Sequence, residues 1–288
     1  MTVPQLTSAP SLLPLYAKAA VTTPLHRFSG GGDSLPDSSY TLDDQSIDRA
    51  HLSAYQRVCG FATSDELPPT YLHILAFPLS VALMTENGFP FPLVGLVHVA
   101  NAITVHRTVR ADEVVSLRVH AEDLRDHPAG RQFDLVAEAR VGDELVWNGR
   151  STYLRRGKPS GDPAKKSERP ELAPLQGAVA TLRVPGDIGR RYGAISGDRN
   201  PIHLHPLSAR LFGFPSAIGH GMWLAARTLA SLEGRLPDAF DFDVAFKLPV
   251  LLPATVSVAT SPDGAGWQLD VRDRRSGKPH LTGSITPR

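Results

Sequence analysis

The segment Tyr192-Gly193-Ala194-Ile195-Ser196-Gly197-Asp198-Arg199-Asn200-Pro201-Ile202-His203 leads into Gly213-Phe214-Pro215-Ser216-Ala217-Ile218-Gly219-His220-Gly221-Met222, and these two runs organise the chain. A carboxylate and an imidazole, Asp198 and His203, stand five residues apart in a loop punctuated by glycine and proline. A short helix is predicted over 188–195, with Asp187 at its start as a cap for free N–H groups and Ser196-Gly197 at its close. Pro201 keeps Asn200 extended. The loop therefore curls, and the spacing lets both side chains turn towards one water molecule. Asn200 is placed to hydrogen-bond the loop and fix the orientation of His203. Ser196 is placed to hold the Asp198 loop, while Tyr192 is read as packing.

Gly219-His220-Gly221 opens a helix predicted from Gly221 to Leu232, apolar on nearly every side through Trp223, Leu224, Ala225, Ala226, Leu229 and Ala230. Such a helix belongs in a core. Its first N–H groups have no partner within the helix and lie at the positive end of its dipole. The glycines let a ligand approach the backbone. The Gly221 N–H is therefore read as a donor to an oxyanion. His220 is read as orienting the glycine turn through a ring hydrogen bond.

Apolar–polar alternation follows at 241–246, 255–260, 267–272 and 280–286, the pattern of half-buried strands. Upstream, Ala180, Leu182 and Val184 alternate with Thr181 and Arg183 and give a short edge strand. The first half has the same order. A short helix over 46–59 precedes a helix over 71–84 that is apolar nearly all round, and strands follow from Ile103, Val115, Phe133 and Leu145. An offset of 141 residues carries Val109, Val115, Ser116 and Leu117 onto Val250, Val256, Ser257 and Val258. An offset of 137 carries Tyr55 and Gly60 onto Tyr192 and Gly197. A unit this long, present twice, is a duplicated domain rather than a solenoid. In each copy the least costly burial is a curved antiparallel sheet around the apolar helix.

The expected organisation is a loop-rich leader over 1–40, a first copy over 41–155, a Lys/Arg/Pro-rich linker over 156–178 and a second copy over 179–288. The repeat breaks at the chemistry. Phe61 follows Cys59-Gly60 where Asp198 follows Ser196-Gly197, and no counterpart of Asn200-Pro201-Ile202-His203 comes after it. One acid–base site per chain is expected.

Composition sets outer bounds. The 288 residues carry 30 basic and 29 acidic side chains, a net charge of +1, which asks for neither nucleic acid nor an anionic membrane. Cys59 is the sole cysteine, so no internal disulfide can form. The longest apolar-rich run, 89–103, is broken by Pro92, His98 and Asn101, and falls short of the ~20 residues of a membrane helix. No basic region precedes the apolar residues at 11–16, which Pro14 interrupts, so no signal peptide is expected. A cytoplasmic protein is the expectation. His203, His205 and His220 lack a recognised zinc-ligand spacing, and no metal is expected. His98, His106 and His205 are assigned nothing.

The Asp198-to-His203 loop together with Gly219-His220-Gly221 resembles the MaoC-like family, the (R)-specific enoyl-thioester hydratases and (3R)-hydroxyacyl-thioester dehydratases. The resemblance implies an α+β double hotdog, two antiparallel sheets each wrapped around a central apolar helix and paired within one chain. It implies a hydro-lyase that dehydrates (3R)-hydroxyacyl thioesters to trans-2-enoyl thioesters in fatty-acid elongation. Asp198, His203 and Gly221 are the implied catalytic residues, and Ser196, Asn200, Gly219 and His220 the implied substrate contacts. Neither metal nor redox cofactor is needed, because the acyl group arrives on acyl-carrier phosphopantetheine or coenzyme A. The first copy is expected to wall the acyl tunnel. Arg190, Arg191, Arg199 and Lys247 are candidates for the carrier's phosphates. Rival readings are an (R)-specific enoyl-CoA hydratase of β-oxidation, a non-catalytic acyl-binding or assembly subunit, and a thioester hydrolase. Quaternary expectations are a monomer of two pseudo-paired hotdogs or a homodimer.

Overall fold

A computed structural model describes residues 4–6, 8–16, 18, 32–157 and 174–288. Most of the expected linker, residues 158–173, lies outside them, as does much of the leader. The alternating segments form one sheet of eleven strands, ordered β1-β2-β4-β5-β6-β3-β8-β11-β10-β9-β7. Their ranges are β1 Gln5–Leu6, β2 Ser39–Ser46, β3 Leu96–Val105, β4 Val114–His127, β5 Gly130–Val141 and β6 Glu144–Arg156 in the first half. The second half supplies β7 Ala178–Val184, β8 Phe240–Phe246, β9 Ala254–Asp263, β10 Gly266–Asp273 and β11 Pro279–Pro287. The two sheets expected from the repeat are thus continuous. They join where β3 pairs with β8, and Ala102 lies opposite Asp243, the residue 141 places further along. That pairing puts the axis of the duplication between these two residues. It supplies within one chain the edge-to-edge contact that would otherwise leave two open strand edges.

The helices lie against this sheet: α1 Arg49–Cys59, α2 Tyr71–Met84, α3 Ile188–Ser196, α4 Pro201–Leu204, α5 Pro206–Arg210 and α6 Gly221–Ala230. α2 and α6 are the apolar helices of the two copies, and most residues of each are buried. One core cluster runs through both halves. Burial of a large apolar side chain such as Leu79 or Leu229, both fully buried, stabilises the fold by roughly 1.5–3 kcal/mol. Polar links tie the copies together. The Trp223 indole N–H donates to the Val58 carbonyl at 2.9 Å, and a His51 ring nitrogen meets the Ile195 carbonyl at 2.9 Å.

Local details repeat as well. α1 and α3 both end on a left-handed glycine, Gly60 at φ 81° and Gly197 at φ 75°, a conformation open to glycine at little cost. Tyr55 and Tyr192 meet across the copies with ring centroids 6.3 Å apart.

Three expectations need correction. Asp187 stands at the start of α3, yet its side chain accepts no capping bond there and instead lies 4.0 Å from Arg191. The helix of the first copy starts at Arg49, capped by Asp48, because the residues before it form β2. The leader is not idle: β1 adds to the sheet beside β2, residues 12–16 are helical, and Leu6, Leu12 and Leu15 pack on the core.

Candidate active site

Chain geometry brings Asp198, His203 and His220 together at the start of α6. Gly197 ends α3 and turns the chain back. The Ser196 hydroxyl accepts from the Asp198 N–H at 3.2 Å, so the buried serine does hold the loop. One carboxylate oxygen of Asp198, Oδ1, accepts from the Asn200 N–H at 3.2 Å. Asn200 is extended, as the following proline requires. Its side-chain oxygen accepts from the Ile202 N–H at 3.4 Å and its carbonyl from the His203 N–H at 3.0 Å. The turn α4 is thereby capped, and it aims His203.

His203 Nδ1 lies 2.8 Å from the Ile218 carbonyl oxygen, which can only accept. The ring proton therefore sits on Nδ1, and Nε2 presents a lone pair to Asp198 Oδ2 at 3.9 Å. That gap is too wide for a direct hydrogen bond, and one oxygen atom can bond to both sides of it. His220 Nε2 donates to the Asp198 backbone carbonyl at 3.0 Å and lies 3.7 Å from Oδ2. The expected role of His220 is corrected here: its ring bond reaches the Asp198 loop, and does not close the glycine turn.

The electrostatics follow from burial. Burial pushes His203 below the ordinary imidazole value against the pull of the carboxylate. Burial, reinforced by His203, pushes His220 down to about 3. For Asp198, burial acts to raise the pKa. The two imidazoles, the Asn200 N–H and a hydroxyl from Tyr16 outweigh it and hold the carboxyl below its usual range. At neutral pH the site therefore holds an ionised carboxylate facing two neutral imidazoles.

These groups border a cavity of about 310 Å³. Gly219, Gly221, Met222 and Leu224 border it from the start of α6. The Gly219 N–H is taken by the Val250 carbonyl at 2.9 Å, which leaves the Gly221 N–H as the oxyanion candidate. Gly221 also has a packing reason to lack a side chain, since a Cβ there would lie 2.9 Å from ring carbons of Phe246. The opposite wall comes from the first copy, through Ile74, Phe77 and Met84 of α2 and residues 93–99. Among the described residues, Lys247 and Arg156 are the lysine and arginine side chains that border the cavity. Arg190 and Arg191 turn to Leu204 and Asp187, and neither these two nor Arg199 borders it.

Sequence spacing missed several cavity residues. Tyr16, His73, His98 and Tyr153 come from the leader and the first copy, which lack the local motif. His98, left unassigned above, is stacked on Tyr153 at 4.7 Å and pushed down to about 3 by burial first and His73 second. The apolar Leu12-Leu13-Pro14-Leu15-Tyr16 run in a polar leader was the available signal that this segment packs. His205 caps α5 by accepting from the Leu207 N–H, and His106 bonds Asn148.

Donor atoms of Asp198, His203 and His220 lie within 4.8 Å of one another, a separation a cation could bridge. His220 Nε2, however, spends its proton on the Asp198 carbonyl and cannot offer that atom to a metal in the same arrangement. Among the described residues, no helix is long and apolar enough to cross a membrane.

The sequence matches the MaoC-like domain over residues 170–279. It is 40% identical over 259 residues to 3-hydroxyacyl-thioester dehydratase X of Mycobacterium tuberculosis, covering 88% of this chain and 90% of the relative. Dehydratase Y of the same organism is 27% identical over 219 residues, covering 70% and 74%. The crystal structure of M. tuberculosis HtdX superposes with a TM-score of 0.77 at 38% identity, over 87% of this chain and 100% of that one. A MaoC-like dehydratase from Phytophthora capsici shares the fold, with a TM-score of 0.71 at 18% identity over 88% and 96%.

Proposed function

This chain belongs to the MaoC-like dehydratase family, and from that premise we propose that it interconverts (3R)-hydroxyacyl and trans-2-enoyl thioesters during fatty-acid elongation. It acts as a hydro-lyase. The observation that carries the reading is the 3.9 Å gap between Asp198 Oδ2 and His203 Nε2, set beside the glycine-lined start of α6. A non-catalytic subunit has no use for a carboxylate and an imidazole held this way.

In the hydration direction, water bridges Asp198 and His203. Its oxygen bonds to C3 of the enoyl thioester while the pair takes one of its protons. Electron density moves through C2 to the thioester oxygen, where the Gly221 N–H stabilises it. The proton then passes from the pair to C2. Dehydration is the reverse: the C2 proton leaves to the pair, the C3–O bond breaks, and the departing hydroxyl takes up a proton to become water. General acid–base help is worth ~10²–10⁴-fold, and one oxyanion donor about 2.7–4 kcal/mol. No redox or metal step enters this sequence.

His220 holds the Asp198 loop, and Ser196 and Asn200 fix its turn. The acyl chain runs along α2 and residues 93–99, with Lys247 and Arg156 available to the carrier's phosphates. Acyl-carrier protein is the proposed carrier, in a cytoplasmic setting. One chain already holds a complete hotdog pair, so a monomer suffices for the site, and homodimerisation remains compatible with it.

The test is loss of enoyl absorbance when purified protein meets crotonyl-CoA, followed by the same assay with enoyl-acyl-carrier protein. Higher kcat/KM on the carrier protein is expected. Preference for CoA would favour a β-oxidation hydratase. Release of free thiol would favour a hydrolase, and no turnover on either substrate would sink the reading.

A further inference from the structure

Asp198 Oδ1 has a second partner, and it comes from a remote part of the chain. The Tyr16 hydroxyl lies 3.1 Å from it and donates to it. Burial first, and the Asp198 carboxylate second, raise the Tyr16 pKa, so the hydroxyl keeps its proton and remains a donor. The segment that presents it is seated in the fold. Residues 12–16 are helical, and Leu12 and Leu15 pack against the core. Leu12 lies over Gly197, so closely that a Cβ on that glycine would come within 2.2 Å of Leu12 Cδ1. Upstream, β1 is tied to the sheet edge, with the Gln5 amide donating to Asp43 at 2.6 Å.

The two carboxylate oxygens thus have separate duties. Oδ1 is held by the Tyr16 hydroxyl and the Asn200 N–H. Oδ2 is the oxygen that lies nearer the two imidazoles, 3.7 Å from His220 Nε2 and 3.9 Å from His203 Nε2. Without a donor on Oδ1 beyond the Asn200 N–H, the carboxylate is freer to rotate about its Cβ–Cγ bond and to exchange which oxygen faces His203.

We propose that Tyr16 is a positioning residue for the dehydratase reaction: its hydroxyl fixes the Asp198 carboxylate rotamer, so that the N-terminal segment completes the site built by the second copy. The inference rests on the reading of Asp198 as the catalytic carboxylate. Tyr16 also borders the cavity. A plug that merely blocked substrate would satisfy Oδ2, the reactive oxygen, whereas Tyr16 occupies the other one.

Tyr16→Phe keeps the ring and removes the donor. Expected is a fall in kcat of about 10-fold, the worth of one hydrogen bond to a charged group, with KM changed by less than about twofold. Leu13→Ala, on the same segment and 66% exposed, should match wild type. Unchanged kcat in Tyr16→Phe, a faster enzyme, or a loss confined to KM would overturn the proposal. A second readout does not depend on turnover: with fluorotyrosine at position 16, the fluorine resonance should move when Asp198 is changed to Asn. A resonance that stays in place overturns the contact. Absence of hydratase activity in wild type, by contrast, counts against the reading of the site and leaves the resonance test to decide the contact.

Discussion

The rings of His203 and His220 lie face to face, with centroids 3.7 Å apart and planes inclined by 25°. Two imidazolium cations at that distance, in a buried pocket, would repel strongly. The stack therefore favours neutral rings, and the hydrogen bonds to the Ile218 and Asp198 carbonyls select which nitrogen carries each proton. The proposed base, His203 Nε2, thus faces the Asp198 carboxylate with no cationic ring stacked against it.

Activity should persist into mildly acidic solution. Burial lowers the His203 pKa, so its base form survives as pH falls below the ordinary ~6.5 of histidine. The acid limb of kcat/KM against pH is expected below that value. A limb at or above it would show that the ring is cationic near neutrality and would contradict the arrangement.

Stability should fall in the same direction for a related reason. Burial depresses His220 and His98 to about 3, and His73 to about 4. The unfolded chain binds protons at these sites below ~6.5 while the native state does not. Their contribution is complete above that pH and is lost progressively as pH falls towards the folded values. Urea midpoints measured from neutrality down to the folded values should decline. Replacing His98 by Phe should make the decline shallower. A flat wild-type profile contradicts the prediction.

Gly221→Ala tests the start of α6. The new Cβ would meet Phe246 ring carbons at 2.9 Å. Overpacking of this kind costs roughly 1–3 kcal/mol, and the displaced helix start should lower kcat by at least ~10²-fold if its N–H serves the oxyanion. Adding Phe246→Ala should recover stability ahead of activity. Wild-type kcat in the single variant would remove Gly221 from the proposed mechanism.

Much of this was legible beforehand because it is local or periodic. α2 and α6 were visible as segments apolar on all sides, and the duplication as a matching offset between Val115 and Val256. Ser196, Asp198, Asn200 and His203 lie close in sequence around the turn that joins α3 to α4, so proline and glycine geometry alone placed them near one another. What stayed hidden depends on contacts distant in sequence. Nothing beside Tyr16 points to Asp198, and His98 looks like an ordinary strand residue until Tyr153 and Phe246 close around it. The ring bond of His220 was foreseen, but its acceptor was not, since that depends on how α3 and α6 meet. Pairing of the two sheets within one chain was expected from the resemblance, but that β3 and β8 are the edges that meet was not, because strand periodicity does not tell which edges pair.

Asp198 and His203 are held to act on one water molecule, and a double-mutant cycle measures that most directly. Turnover of enoyl thioester is compared in wild type, Asp198→Asn, His203→Ala and the double variant, with circular dichroism confirming the fold in each. Each single change is expected to cost at least ~10²-fold, and the double no more than the worse single, as for residues that work as a unit. Losses that multiply, or a single variant that keeps wild-type turnover, would contradict a shared water between these two side chains.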